Sequence, residues 1–180
     1  MTKFLVSFFS LIIPLASFSQ TYTPIDAGSS VKFTIKNLGL NTTGSFTGLK
    51  GEVKYASYNS RVTNFNVSVD ANTINTGISA RDNHLRKEEY FSVAQYTTLH
   101  FISTKIVSAT NGVMVLTGTL TIRGISKEVS FPFTVSPQGK DLLFKGSFSI
   151  NRRDFKVGGN SMVLSDNVSI NLQILAKKNP

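Results

Sequence analysis

The sequence predicts an antiparallel all-β protein of about eight strands, and three observations predict it. From Gln20 onward, apolar residues recur mainly with period two, the spacing of strands with one buried face. Turn chemistry such as Asn111-Gly112, Arg123-Gly124, Gln138-Gly139 and Gly158-Gly159-Asn160 separates the runs. Only one segment, beginning at Ser79, breaks the alternation. With 180 residues, 41% hydrophobic and 16% charged, the chain suits one globular domain, and no internal repeat or linker divides it. A chain of that size buries roughly two-thirds of its unfolded surface, so it does not need disulfides to be stable.

Residues 1–19 read as a signal peptide. Lys3 precedes an apolar run from Phe4 to Ala16, and Ser17 and Ser19 supply the small residues of a cleavage site near Ser19/Gln20. The run is about 13 residues long, too short for a comfortable membrane span. The mature domain, residues 20–180, then opens on Val31, Phe33 and Ile35 alternating with Lys32, Thr34 and Lys36. Phe65, Val67 and Val69 form a second such set. Ser79-Ala80-Arg81-Asp82 has the spacing of a helix capping box and predicts one short helix around residues 79–90. Strand patterning resumes with Leu116, Leu120 and Ile122, where Gly118 takes the remaining inward slot. It continues through Val129, Phe131, Phe133 and Val135, then Leu142, Phe144, Phe148 and Ile150, and ends with Val168, Ile170, Leu172 and Ile174. About eight strands can close into a barrel, which removes exposed edges and leaves room for side chains alone or for one ligand. Inward glycines at 44, 118 and 146 beside large aromatics fit either a packing taper or a cavity.

The charge and the missing residue types bound the function. Nineteen Lys and Arg against ten Asp and Glu give +9, and cleavage after Ser19 removes Lys3 to leave +8. The basic residues are scattered over outward strand positions and turns without interleaved aromatics, so nucleic acid is not the expected partner. Transient contact with an anionic membrane surface is the functional alternative to a solvated basic exterior. With no Cys and only His84 and His100, thiol chemistry, thiolate zinc and multi-histidine metal sites are excluded. His100 lies between Leu99 and Phe101 on the opposite face, the place of a surface or strand-pair residue. No Gly-x-Ser-x-Gly element or phosphate-binding glycine loop occurs.

The order of motifs resembles the YceI-like family of exported lipid- or polyisoprenoid-binding proteins. The resemblance runs over nearly all the mature chain. It includes Ile25-Asp26, Ser30-Val31-x-Phe33, Asn37-Leu38-Gly39, Gly44-x-Phe46 and Gly51-Glu52-Val53. Its most specific part is Ile74-Asn75-Thr76 followed by Arg81-Asp82-x-His84-Leu85 and Tyr90-Phe91. Gly118-x-Leu120-Thr121-Ile122-Arg123-Gly124-Ile125-Ser126-Lys127 and Asn151-Arg152-Arg153-Asp154-Phe155 complete it. Two positions depart: Lys156 stands where the family usually has Gly, and Thr97 where Pro commonly follows the Tyr.

The resemblance implies an elongated, lipocalin-like barrel and a nonenzymatic protein that encloses a long apolar ligand for carriage, storage or sequestration. The expected ligand is an isoprenoid quinone, a polyprenyl lipid or a related acyl chain, with no other cofactor. Burial of each CH₂ of such a ligand is worth about 0.8 kcal/mol, so a dry wall suffices for affinity. The candidate lining residues are Phe33, Phe46, Phe101, Leu120, Phe131, Phe133 and Phe148. Arg81, Asp82, His84, Arg153 and Asp154 are the candidate headgroup residues at the mouth. The first three also fit a hydrogen-bonded cluster that caps and holds the helix, the reading favoured from sequence because capping already accounts for Asp82. Periplasmic or secreted location follows from the signal peptide. Monomer and homodimer both fit. A filled-core envelope protein is the alternative, and a lipid-modifying enzyme a more distant one.

Overall fold

The computed structural model describes residues 19–56, 61–110 and 112–180, so the predicted signal peptide lies outside the described residues except for Ser19. The strands are β1 (Ser19–Asn37), β2 (Leu40–Ala56), β3 (Arg61–Asn75), β4 (Thr98–Ser108), β5 (Met114–Ile122), β6 (Ile125–Gln138), β7 (Asp141–Asn151) and β8 (Leu164–Lys178). Each pairs antiparallel with the next, and β8 returns to β1, closing the predicted barrel in sequence order. This up-and-down order puts the β1–β2, β3–β4, β5–β6 and β7–β8 connections at one end, the upper end. The start of β1, the end of β8 and the facing ends of β2 and β3, β4 and β5, and β6 and β7 lie at the lower end.

Alternation sets the two faces as expected. On β5, Met114, Leu116 and Ile122 are buried, while the intervening threonines form polar cross-strand pairs on the outer face. Thr117 bonds Ser130 at 2.9 Å and Thr121 bonds Ser126 at 2.8 Å. His100 pairs with Asn66 on the neighbouring strand, Nε2 to Oδ1 at 2.7 Å, the strand-pair role its position predicted. Lys32, Lys36, Lys50, Lys54, Lys105 and Lys145 stand exposed on strands. A barrel that crosses a lipid bilayer has the reverse arrangement, apolar outside and polar within.

Two long strands bend at irregularities. The register of β1 shifts between Ile25 and Ser30, and that of β2 between Thr47 and Lys50. The Asp26 carboxylate fastens the two together by accepting from Gly48 N at 3.0 Å and Leu49 N at 3.1 Å. Gly51 has φ +113, and a Cβ there would lie 2.1 Å from Asn66 O, so no other residue fits.

Aromatic rings organise the interior. Phe65 meets Phe133 and Phe144 edge-on, with centroids 5.6 and 5.2 Å apart. Toward the upper end Phe46 contacts Phe33 and Phe91, and Phe155 is buried with Ile122 and Val157. The inward glycines serve these rings. A Cβ on Gly118 would lie 2.5 Å from Phe101 Cζ, and one on Gly44 would lie 2.3 Å from Phe33 Cζ. The tip of each ring therefore sits over the glycine of an adjacent strand, in the space a Cβ would take.

The helix, α1 (Ser79–Leu85), is shorter than its predicted span and is not capped by a box. Ile78 is its extended N-cap, without a side-chain bond, and the Asp82 carboxylate turns back to Thr76 instead. After Leu85 the chain reverses, with Phe91 N donating to Leu85 O at 3.0 Å and Ser92 at φ +49. A continued helix would set Tyr90 about 140° round from Leu85. The reversal lets Leu85, Tyr90 and Phe91 face one cavity.

Candidate functional site

Two cavities lie along the barrel axis. The inner one, about 160 Å³, has a wall almost wholly of carbon. All seven predicted lining residues, Phe33, Phe46, Phe101, Leu120, Phe131, Phe133 and Phe148, are on it. The upper one, about 130 Å³, is bounded by the barrel rim, α1 and the β7–β8 connection. Phe33, Phe46, Leu99, Ile122, Ile150 and Ile170 line both, so the two are chambers of one lumen meeting at an apolar waist. Each chamber is below the roughly 300–1,000 Å³ of a typical small-molecule pocket. Phe131 and Phe148, stacked at 4.3 Å and 14°, occupy part of the inner one.

The wall of the upper chamber is almost wholly apolar too, but Thr76, Arg81 and Arg152 line it together with Asn37 and Thr42. Thr76 is the hub. Its amide and hydroxyl both donate to Asp82 Oδ1, at 2.8 and 2.6 Å, while its hydroxyl and carbonyl oxygens accept from Arg81 Nε at 2.7 Å and Nη2 at 2.8 Å. The Thr76 hydroxyl bond is the largest influence holding the Asp82 carboxyl below its ordinary value. The Thr76 amide and the Arg86 and Arg81 charges act in the same direction. Among the described residues no acceptor meets Arg81 Nη1, so this half-buried guanidinium keeps donors in reserve at the chamber wall.

The other candidates are placed differently. His84 is exposed, and its ring rests against Tyr90 with centroids 4.9 Å apart. Arg153 is 42% exposed, bonds the Asn160 side chain and lies 3.9 Å from Asp166; Asp154 is exposed. None of these three lines either chamber. Of the two adjacent arginines it is Arg152, at 4% exposure, that lines the upper chamber. It donates from Nε to Ser165 O at 3.0 Å, from Nη1 to Val157 O at 2.8 Å and from Nη2 to Asp166 Oδ1 at 2.8 Å. A short 3₁₀ helix (Arg152–Phe155) begins with it, and Arg152 clamps that hook to β8. The inward phase of β7, Phe148 and Ile150, continues to Arg152, and that periodicity was the signal that separates it from Arg153. Among the described residues, no three His, Asp or Glu side chains converge as metal ligands would.

The family model for the YceI-like domain matches residues 22–176. A UPF0312 protein of Shewanella sp. (strain ANA-3) is 26% identical over 175 residues, covering 92% of this chain and 91% of that protein. Another, from Yersinia enterocolitica, is 29% identical over 143 residues, covering 79% and 71%. Among solved structures, Burkholderia cenocepacia BcnA superposes with a TM-score of 0.78 at 25% identity, covering 84% of this chain and 98% of that one. A polyisoprenoid binding domain from Saccharophagus degradans has the same fold, with a TM-score of 0.69 at 16% identity over 90% of this chain and all of that one.

Proposed function

Because the chain belongs to the YceI-like family, whose domain model spans residues 22–176, we propose that it binds one long apolar ligand inside the barrel. The ligand class is an isoprenoid, such as a quinone or polyprenyl lipid, or a related acyl chain. The observation that carries this is the two-chamber lumen, its wall almost wholly apolar in both chambers, with Thr76, Arg81 and Arg152 among the residues that line the upper one. An alkyl chain in the inner chamber gains about 0.8 kcal/mol for each CH₂ removed from water. The waist and the stacked Phe131–Phe148 pair must part for a long chain. Arg81, with unused donors, is the group placed to hold a phosphate or carbonyl head. Arg152 is already committed to three acceptors and acts as a support.

Carriage between membranes, storage and sequestration are all served by such a lumen. Export rests on the N-terminal signal peptide, and N-terminal sequencing of the mature protein is expected to begin at or next to Gln20. Native mass spectrometry with organic extraction of protein purified from the exporting cell tests the binding itself. A co-purifying lipid of constant mass is expected. A protein that is empty as isolated, and that takes up neither prenols nor quinones on incubation, would favour a filled core instead.

A further inference from the structure

Leu38 breaks two local rules at once. It opens the β1–β2 turn at φ +50, followed by Gly39 at φ +76, a pair of left-handed residues for which Asn-Gly is the favoured sequence. Its side chain is also 73% exposed. Beside it, Leu40 is 75% exposed, Met162 fully so and Val163 about half. Leu38 N donates to Val163 O at 2.8 Å, and Asn37 pairs with Leu164, so these four apolar side chains form one tip. A strained leucine facing water costs stability that the fold does not require, and such violations mark functional positions.

Three features define what would cover the tip. It belongs to the lumen entrance, because Asn37 and Leu164, which flank it, line the upper chamber. The charge around it is net positive: Lys36 at the end of β1 and Arg152, Arg153 and Lys156 in the β7–β8 connection stand against Asp154 and Asp166, and Asp166 is engaged by Arg152 and lies 3.9 Å from Arg153. Finally, it is a projection made of two turns rather than a groove or flat face. A fluid bilayer closes around a projection, whereas a protein partner needs a matching hollow.

We infer that this tip inserts into the interfacial layer of an anionic lipid bilayer and holds the barrel entrance against it. The inference rests on the proposed lipid ligand for what docking serves, but its test is independent of that ligand. The chain has no Trp, so one introduced indole reports alone. Met162→Trp places it at the tip, and Lys140→Trp in the β6–β7 turn at the lower end. With vesicles of phosphatidylcholine and phosphatidylglycerol free of isoprenoids, the emission of the Met162→Trp protein is expected to shift to the blue. That of the Lys140→Trp protein is expected to stay unchanged. Leu38→Asn should weaken vesicle partition about tenfold, the effect of withdrawing one buried leucine. It should also raise the thermal midpoint, because Asn suits φ > 0, so the loss cannot be ascribed to unfolding. No shift at Met162→Trp, equal shifts at both ends, or undiminished binding by Leu38→Asn would overturn the inference. So would self-association through the tip in vesicle-free buffer. A lumen that takes up lipid in a protein that ignores vesicles overturns only the docking. Vesicle binding by a protein that takes up no apolar ligand overturns only the ligand.

Discussion

At Thr76 one hydroxyl serves two charged side chains, and the chemistry of the mouth follows from that sharing. The Asp82 carboxylate is stabilised in the native state, so its native pKa lies below its unfolded one. Its contribution is complete above about pH 4, the unfolded value, and is lost as pH falls through the depressed native value. The stability gap between the parent and Asp82→Asn in urea titrations should therefore be constant near neutrality and shrink below about pH 4. Arg81→Gln should weaken a phosphate-headed prenyl ligand about tenfold, the worth of one charge-assisted bond, and leave the uncharged prenol unaffected. Lys156 occupies the left-handed cap after Phe155 at φ +54, the position where the family resemblance led one to expect Gly. Relieving it with Lys156→Gly should stabilise the protein by about 0.5–1 kcal/mol, read as a small rise in Tm. These details were unequally legible. The Arg-Asp-x-His spacing located the cluster, but hydroxyl–carboxylate geometry depends on where the chain re-enters after Asn75, which no local pattern encodes. The two adjacent arginines could be told apart only by extending the β7 phase beyond its last apolar residue.

Among the elements, strands were more readable than the segments that join them. Period two is a local consequence of pleating, so Phe33, Phe101, Leu120 and Phe131 could be placed inward from sequence, and they line the lumen. The helix was visible only at its start, because its end is set by the burial of Tyr90 and Phe91 against β strands far along the chain. The glycine–ring pairs give a ranked expectation. A Cβ on Gly118 would meet both Phe101 and the Ile102 carbonyl within 2.5 Å, whereas on Gly146 the nearest atoms are 3.3 Å away. Gly118→Ala should thus cost about 2–3 kcal/mol and Gly146→Ala under about 1 kcal/mol, compared by urea midpoints at constant m. The hook from Arg152 to Phe155 should respond like a clamp. Arg152→Met should lose about 2–4 kcal/mol, and Arg152→Lys should recover little of it, since an ammonium cannot reach three divergent acceptors.

For the molecule as a whole, an occupied lumen is a thermodynamic weight on the folded side. Extraction of a bound lipid should lower Tm, and a ligand restored at about 100-fold over its Kd should return about 2.7 kcal/mol, or roughly 5–10 °C. Measured by scanning calorimetry, an unchanged Tm would count against the lumen as the binding place. The closed strand order was legible from the strand pattern only as something that about eight strands can do, because closure depends on β1 and β8, the pair most distant in sequence. That seam carries a temporal consequence. Tyr22 registers with Lys178, so the first strand made waits for the last before either edge is covered. A growing chain can assemble hairpins but not a container, and a nascent polypeptide remains competent for threading, and prone to edge-to-edge aggregation, until β8 has been made.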